Sequence, residues 1–332
     1  MRRSAWASAA GIAAAGMLVA ATAAAQEPPR PDASFRPLDA RDLDSAVAAT
    51  DRRALIAQAL GAGAYEQAQA LLVEEAQRNP PSPAVLRLLG GVLFVRGLYL
   101  SSAVAFKKAE ALAPLDERSR FTLAMSYVVL GRRDWARPEL LKLTQAAPRN
   151  ALYRYWTAHH DYDDGKYAAA VDGLLQAIAL DGGFVKAHDN LGLSYEALGR
   201  YDDAMKSYRE AVRLNREATP RSPWPPLNLG LLLTRLDRPD EAEPLFRESV
   251  RIDPRFPQGH YQLGTALEKR SQSDEAVKEL EEAARLDASY AEPQYALARL
   301  YRRRGDAEKA DRALERFLAL KKEKSQAGPG PH

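Results

Sequence analysis

The chain has 332 residues, of which 47 are lysine or arginine and 44 are aspartate or glutamate, so its formal net charge is only +3. This balance provides no general attraction to nucleic acids or to membrane surfaces, and we predict neither as a partner. Because the sequence has no cysteine, disulfide bonds, thiolate metal sites and thiol nucleophiles are excluded.

The first residues are typical of the signal peptide of a bacterial exported protein. Two arginines follow the initial methionine, an apolar run covers residues 9–21, and three alanines at 23–25 precede Gln26. We predict that residues 1–25 are cleaved and that the protein is exported, to the periplasm or outside the cell, with no membrane span. The alternative is an uncleaved membrane anchor, although the run is short and rich in alanine for a spanning helix.

Residues 26–48 connect this segment to the rest of the chain. Gln26–Asp32 (QEPPRPD) is polar and rich in proline, which is typical of a linker. Residues 38–47 are predicted to form an extra helix that covers the apolar face of the first repeat. At the other end, residues 325–332 (SQAGPGPH) have too little apolar content to order themselves and are predicted to be a disordered tail.

A small residue recurs at a nearly fixed interval through most of the chain. The interval is 34 residues except for one step of 38. A fixed period of this size indicates one supersecondary unit copied along the chain. Such units contact mainly their neighbours, and the resulting solenoid offers a binding surface. The recurring positions are Ala68, Ser102, Ala136, Ala170, Ala204, Ala242, Ala276 and Ala310.

Residues 185–218 show the local pattern of one unit. Its first predicted helix has apolar residues at helical spacing, and Gly199 is suited to end that helix. Asp202 is predicted to be the N-cap of a second helix. Gly192 would let the two helices approach closely, and the large ring of Tyr208 would fill the space beside it.

This combination resembles the tetratricopeptide repeat, which has leucine, glycine and tyrosine in its first helix and alanine, an aromatic residue and alanine in its second. We number each repeat so that Gly192 is at position eight and Tyr208 at position 24. The resemblance implies an all-α fold, an α-solenoid of about eight helix-turn-helix units that form a superhelix. The predicted units are 49–82, 83–116, 117–150, 151–184, 185–218, 223–256, 257–290 and 291–324, with an insertion at 219–222.

In this family, positions two, five, nine, twelve and thirteen of the first helix line a concave groove. The resemblance therefore implies a groove that is apolar and aromatic in the early units and basic in the last, where Tyr261 and Tyr295 also contribute. Asparagine at position six, as in some arrays of the family, could capture a peptide backbone. The predicted partner-binding residues are Phe94, Phe121, Met125, Val128, Tyr155, His159, Tyr162, Asn190, Leu193, Asn228, Leu231, Arg299, Arg302 and Arg303. In a competing interpretation, the side chains from Phe121 to Val129 are core.

No sequence motif predicts catalysis, since the chain lacks a G-x-S-x-G, a phosphate loop and an H-E-x-x-H. We predict no cofactor and no metal. One cluster, HHDYDDG at residues 159–165, places His159 and Asp163 on the same helix face, as a metal or polar ligand site would. Its spacing does not fit a calcium loop. The alternative is a solvated helix end with one groove histidine.

The loop at residues 217–226 (EATPRSPWPP) contains the four extra residues of the long step. Its Trp224 is either an exposed aromatic contact or a side chain that packs back onto the repeat. We favour packing, because a lone large aromatic residue is usually buried.

Together these patterns favour a non-enzymatic scaffold that binds a peptide or partner protein outside the cytoplasm. One alternative is a carrier that holds a small apolar ligand in the groove. Another is a metal-dependent binder, or an accessory to an enzyme, that uses the cluster at His159. The sequence leaves the identity of the partner and the oligomeric state open.

Overall fold

The computed structural model describes Leu43, Val47 and residues 50–78 and 82–326. All regular secondary structure in these residues is α-helical, which confirms the all-α fold class. The predicted signal peptide, the proline-rich linker and most of the helix predicted at 38–47 lie outside the described residues. No helix in the described part of the chain is long and apolar enough to cross a membrane.

The described residues form sixteen helices, and two of these fall in each of the eight predicted repeats. The last helix continues to Gln326, so the predicted disordered tail is wrong at Ser325 and Gln326. In chain order the helices are α1 (Thr50–Gly61), α2 (Tyr65–Ala76), α3 (Pro83–Val95), α4 (Tyr99–Leu112), α5 (Glu117–Val129), α6 (Arg133–Ala146), α7 (Ala151–Asp163), α8 (Tyr167–Leu180), α9 (Val185–Ala197), α10 (Tyr201–Glu217), α11 (Trp224–Arg235), α12 (Pro239–Ile252), α13 (Pro257–Lys269), α14 (Ser273–Leu286), α15 (Ala291–Arg303) and α16 (Ala307–Gln326).

The helices belong to two compact units, which we describe separately. The N-terminal unit contains α1–α7 and the C-terminal unit contains α8–α16, with the division between Lys166 and Tyr167. This division separates the two helices of the fourth predicted repeat, which the sequence did not indicate. Within each unit every helix packs against the next in chain order, as expected for an α-solenoid.

Odd-numbered helices also contact one another. In the N-terminal unit α3 contacts α5, and in the C-terminal unit α9, α11, α13 and α15 contact in turn. Among the described helices, successive even-numbered ones make no such contact within either unit. The odd-numbered helices therefore form one face of each unit, which we call the odd-helix face. The even-numbered helices form the even-helix face.

Close approach of the two helices of a repeat depends on a small residue opposite a large one. A Cβ atom at Gly192 of α9 would lie only 2.5 Å from the ring of Tyr208 of α10. The side chain of Tyr208 is fully buried, so glycine is required there for the ring to fit. This confirms the predicted pairing, which recurs at Gly90 with Phe106 and at Gly230 with Phe246.

The turn between the two helices of a repeat needs a residue in the left-handed conformation. Gly199 has φ of 72°, which glycine adopts without a steric penalty. The predicted N-cap at Asp202 is wrong, because α10 begins at Tyr201 and its N-cap residue is Arg200. Asp202 lies instead in the first turn of α10, where a carboxylate interacts favourably with the helix dipole.

Two residues that precede α1 cover the apolar side of the first repeat. Leu43 and Val47 are buried in one cluster with Ile56 and Leu72. The amide of Val47 donates a hydrogen bond of 3.1 Å to the Leu43 carbonyl oxygen, which is helical spacing. These two residues lie where the sequence predicts a covering helix.

The inserted loop packs against its own repeat. Trp224 is buried, and its ring lies 4.8 Å from that of Phe256. Asn215 fixes the loop, because its side-chain amide donates to the Ser222 carbonyl oxygen and accepts from the Ser222 amide, both at 2.8 Å. The interpretation of Trp224 as a packed side chain is confirmed.

Candidate partner-binding surface

The odd-helix face of the N-terminal unit is closed at its centre. Phe121 and Met125 of α5 are each only 1% exposed. The ring of Phe121 lies 5.3 Å from that of Tyr153 on α7, so neighbouring odd-numbered helices interdigitate there. Phe121 and Met125 are therefore core side chains, as the competing interpretation had it, and the prediction that they bind a partner is wrong.

The aromatic residues of α7 also pack among themselves. Tyr155 and His159 are buried and stack with a ring separation of 5.8 Å, as residues one helical turn apart can do. Trp156 lies edge-on to both rings, at 5.4 Å from each. Phe94 of α3 is likewise buried. Of the residues predicted to bind a partner in this unit, two remain half-buried rather than buried: Val128 and Tyr162.

The cluster at His159 is built from ion pairs. His159 Nε2 lies 4.0 Å from Asp163 Oδ2. The Arg137 guanidinium on α6 binds Asp161 at 2.7 Å and Asp164 at 3.3 Å. These acids therefore join α6 to α7. In the described residues, no group of three or more histidine, aspartate or glutamate side chains could hold a metal ion.

The two asparagines at position six are buried in the C-terminal unit. Asn228 of α11 donates a hydrogen bond of 2.9 Å to Asp189 Oδ2 of α9. No donor among the described residues reaches Asn228 Oδ1. Asn190 and Leu193 on α9 are also buried. The amide of Asn228 thus ties two odd-numbered helices together.

The rest of the odd-helix face in the C-terminal unit is more accessible. Leu231 of α11 and Tyr261 of α13 are half-buried, and Tyr295 of α15 is 38% exposed. Thr265 and Arg299 lie on the same face and are at least partly accessible. These side chains form a row across α11, α13 and α15 that could contact a bound chain.

The three arginines predicted at the basic end already have carboxylate partners. Arg299 binds Glu268 with its Nε at 3.0 Å and its Nη2 at 2.5 Å, and Arg303 binds the same carboxylate. Hydrogen bonding to Glu268 raises the pKa of Arg299. Arg302 lies 3.1 Å from Asp311. A pocket of about 250 Å³ lies at this end, lined by Tyr295, Ala298, Arg299, Arg302, Arg303 and Leu314.

Ion pairs between a glutamate and an arginine join successive repeats, and the sequence analysis did not predict them. Glu196 at position twelve of α9 binds Arg235 at position thirteen of α11, at 2.5 Å. Glu268 at position twelve of α13 binds Arg303 at position thirteen of α15 in the same way. The signal was present in the repeat register, as an acid followed by an arginine one position later in the next repeat.

Comparison with known families agrees with this architecture. Family descriptions of the tetratricopeptide repeat match residues 184–255, 257–290 and 295–327. The matched segments coincide with helix pairs of the C-terminal unit. These segments of the chain are tetratricopeptide repeats, and the helix pairs of the N-terminal unit have the same arrangement. No curated protein matches the sequence.

Solved structures share the fold at low sequence identity. Yeast Tom70 has a TM-score of 0.62 and 18% identity, over 95% of this chain and 70% of Tom70. The Cut9–Hcn1 hetero-tetramer of the APC/C has a TM-score of 0.58 and 17% identity, over 85% of this chain and 55% of the matched chain. YrrB is described as a tetratricopeptide repeat protein with an unusual peptide-binding site. Its TM-score is 0.45 and its identity 20%, over 55% of this chain and 91% of YrrB. At these identities the likeness to Tom70 and Cut9–Hcn1 concerns the fold alone.

Proposed function

We propose that this protein is a non-enzymatic scaffold that binds an extended segment of a partner protein on the odd-helix face of its C-terminal unit, outside the cytoplasm. The tetratricopeptide repeats support a protein-interaction role, because stacked repeats present an extended binding surface. The observation that carries the proposal is the accessible row of Leu231, Tyr261 and Tyr295.

The chemistry of this row suits a peptide. Aromatic rings supply large contact areas and can also form hydrogen bonds through their hydroxyl groups. Thr265 and Arg299, which lie on the same helices, supply polar contacts for a main chain or an acidic side chain. Packed helices lie about 8–10 Å apart. An extended segment of roughly six residues, at about 3.3 Å per residue, would therefore cross α11, α13 and α15.

The N-terminal unit contributes less to the proposed binding surface. Because Phe121 and Met125 are core, the apolar surface left on its odd-helix face lies near the ends of α3 and α5. That surface includes Val95 and Val129, which are exposed, and Val128, which is half-buried. We assign it a secondary contact with the partner at most.

A carrier of an apolar small molecule is less well supported. Ligand pockets usually have volumes of about 300–1,000 Å³ and mostly apolar walls. The pocket beside Tyr295 has about 250 Å³ and three arginines in its lining. The small volume of this pocket therefore favours a peptide over an apolar ligand.

Export is supported by the sequence of residues 1–25. The mass of the protein isolated from its native host would test this directly. Cleavage after Ala25 predicts a mature chain that begins at Gln26. A full-length chain in the cytoplasmic fraction would contradict export, but it would not bear on binding at the odd-helix face.

Binding can be tested with two tyrosines of nearly equal exposure. Tyr295 on the odd-helix face is 38% exposed and Tyr201 on the even-helix face is 39% exposed. Peptides would first be selected from a random library on the wild-type protein. Tyr295→Ala and Tyr261→Ala should each weaken binding of the selected peptides about tenfold or more, as loss of an interface anchor does. Tyr201→Ala should leave affinity unchanged. Equal affinities for all three variants would refute the proposed face.

A further inference from the structure

The last repeat exposes a surface that the other repeats of its unit cover. We call this surface the end face, and it is formed by Tyr295, Ala298 and Arg302 of α15 with Leu314, Phe317 and Leu318 of α16. Leu318 is 57% exposed, whereas Val212, Val250 and Ala284, at the same position of α10, α12 and α14, are buried or half-buried. Leu314 is half-buried, whereas its counterparts Tyr208, Phe246 and Leu280 are fully or almost fully buried. Among the described residues, no element follows α16 on this surface.

In the preceding repeats, the next odd-numbered helix provides the cover. α15 packs on α13 and α14 in this way. Its Tyr301 hydroxyl group donates a hydrogen bond of 2.6 Å to Glu281 of α14, and its Arg303 binds Glu268 of α13. α11 similarly brings Arg235 to Glu196 of α9. At both junctions the covered helix provides the acid and the incoming helix provides the arginine.

The end face has the opposite charge. Position twelve, which is Glu196 in α9 and Glu268 in α13, is Arg302 in α15. Arg302 is flanked by Arg299 and Arg303, which share the single carboxylate of Glu268. The side chains of Arg302 and its partner Asp311 are 66% and 68% exposed, and ion pairs this exposed are weak. Arg302 can therefore release Asp311 and form an ion pair with an acid on an incoming helix instead.

We propose that the end face binds an acidic amphipathic helix of a partner protein, which packs on α15 and α16 as a further odd-numbered helix would. The apolar side of that helix would cover Leu314, Phe317 and Leu318, and its acids would meet Arg302. A second copy of the chain fits less well. Two end faces would oppose arginine to arginine, and α1 would bring Arg52 and Arg53 with a single acid, Asp51.

Two synthetic peptides provide a matched test. One has the native sequence of α15, AEPQYALARLYRR, which has 13 residues and packs as an incoming helix in this fold. The other carries Arg299→Glu and Arg303→Glu and is the acidic probe. Both would be blocked at their ends and labelled for fluorescence anisotropy with the whole protein. The acidic peptide should bind at least about tenfold more tightly, which corresponds to about 1.4 kcal/mol.

Exchange of the charge on the protein should reverse this preference. Arg302→Glu restores the acid found at position twelve of α9 and α13, so this variant should prefer the native peptide. Leu318→Gln, at an exposed position, should weaken binding of both peptides without affecting the fold measured by circular dichroism. Tyr261→Ala, which tests the odd-helix face, should leave binding of both peptides unchanged.

Several results would overturn the proposal. One is equal binding of the two peptides by the wild-type protein, and another is an unchanged preference in the Arg302→Glu variant. Dimers that Leu318→Gln dissociates, measured by light scattering, would make a second copy the occupant. A large gain in affinity after removal of residues 327–332 would make the chain's own tail the occupant. Loss of acidic-peptide binding in Tyr261→Ala would place the peptide on the odd-helix face instead.

Discussion

The hydroxyl group of Tyr208 donates a hydrogen bond of 2.9 Å to Glu196 Oε2, from α10 to α9. The same carboxylate binds Arg235 of α11 at 2.5 Å. The ring of Tyr208 lies against Gly192, where a Cβ atom would not fit. Packing inside one repeat is therefore coupled to attachment of the next repeat through a single glutamate.

Gly192→Ala should destabilise the protein. The added methyl group would lie 2.5 Å from the Tyr208 ring, and overpacking of this kind costs about 1–3 kcal/mol. Chemical denaturation followed by circular dichroism would measure the loss in the free energy of unfolding.

Gly182→Ala is the control for this change, because its added methyl group would have no neighbour closer than 4.0 Å. Tyr208→Leu should restore part of the lost stability when it is combined with Gly192→Ala. Alanine and leucine occupy these two positions naturally at Ala298 and Leu314. A neutral Gly192→Ala variant would contradict the account of close helix approach.

Stability should decrease with rising pH because of His260. Its Nδ1 lies 2.7 Å from Glu279 Oε2 and its Nε2 lies 3.0 Å from the Pro254 carbonyl oxygen. Burial lowers the pKa of His260, but hydrogen bonds to Glu279 and Pro254, with the nearby charge of Glu282, raise it more, so it lies above 6.5. The protonated form is thus favoured by folding. Its contribution is complete below 6.5 and is lost as pH rises through the raised pKa.

The melting temperature of the wild type should therefore fall more steeply than that of His260→Gln as pH rises from about 6 to about 9. Thermal melts at several pH values would measure the two slopes. Parallel slopes would show that the pair contributes no pH-dependent stability.

Glu248 should have the opposite effect at low pH. Arg216 binds both of its oxygens, at 2.9 and 2.7 Å. These hydrogen bonds lower the pKa of Glu248 below 4.5, and they outweigh the effect of burial. Its contribution is present above 4.5 and is lost as pH falls through the lowered pKa. We expect Glu248→Gln to cost about 1 kcal/mol at neutral pH and much less in acid.

Urea titrations of wild type and Glu248→Gln at neutral and at acidic pH would measure the loss in the free energy of unfolding under each condition. Glu210→Gln is the control, because Glu210 and its partner Arg213 lie on the surface. Its stability should stay close to that of the wild type. A Glu248→Gln variant with the same deficit at both pH values would contradict the assigned charge.

Leu100→Asp should stabilise the protein and increase its solubility. Leu100 is 60% exposed in the first turn of α4. Six other repeats have an acid at this position: Glu66, Asp134, Asp202, Asp240, Asp274 and Glu308. An acid in the first turn of a helix contributes about 0.3–1 kcal/mol. A lower melting temperature of the variant would instead indicate that Leu100 packs against a partner or another part of the protein.

The repeat period predicted the fold because the same packing between two helices recurs in successive repeats. The small residue at position eight and the large one at position 24, as at Gly192 and Tyr208, could be recognised without any structure. The burial of Trp224 was also predicted, because a lone large aromatic residue is usually buried. These features depend on contacts within one repeat or between adjacent ones.

The candidate surface was harder to predict, because it depends on how closely neighbouring repeats approach. Phe121 and Met125 occupy groove positions by register, but both are buried in the structure, and the ring of Phe121 contacts that of Tyr153 on α7. The division at Lys166 also has no local signature in the sequence. The sequence predicted Arg303, at position thirteen, as a cation that binds a partner. In the structure it binds Glu268, which lies in the preceding repeat.

Site-specific photocrosslinking in the native host tests most directly whether a partner binds the odd-helix face of the C-terminal unit. A photoreactive phenylalanine analogue would replace Tyr261, Tyr295 or, as the control, Tyr201. We expect the same partner to crosslink at positions 261 and 295 and not at position 201. Crosslinks of equal yield from position 201, or from that position alone, would contradict the account.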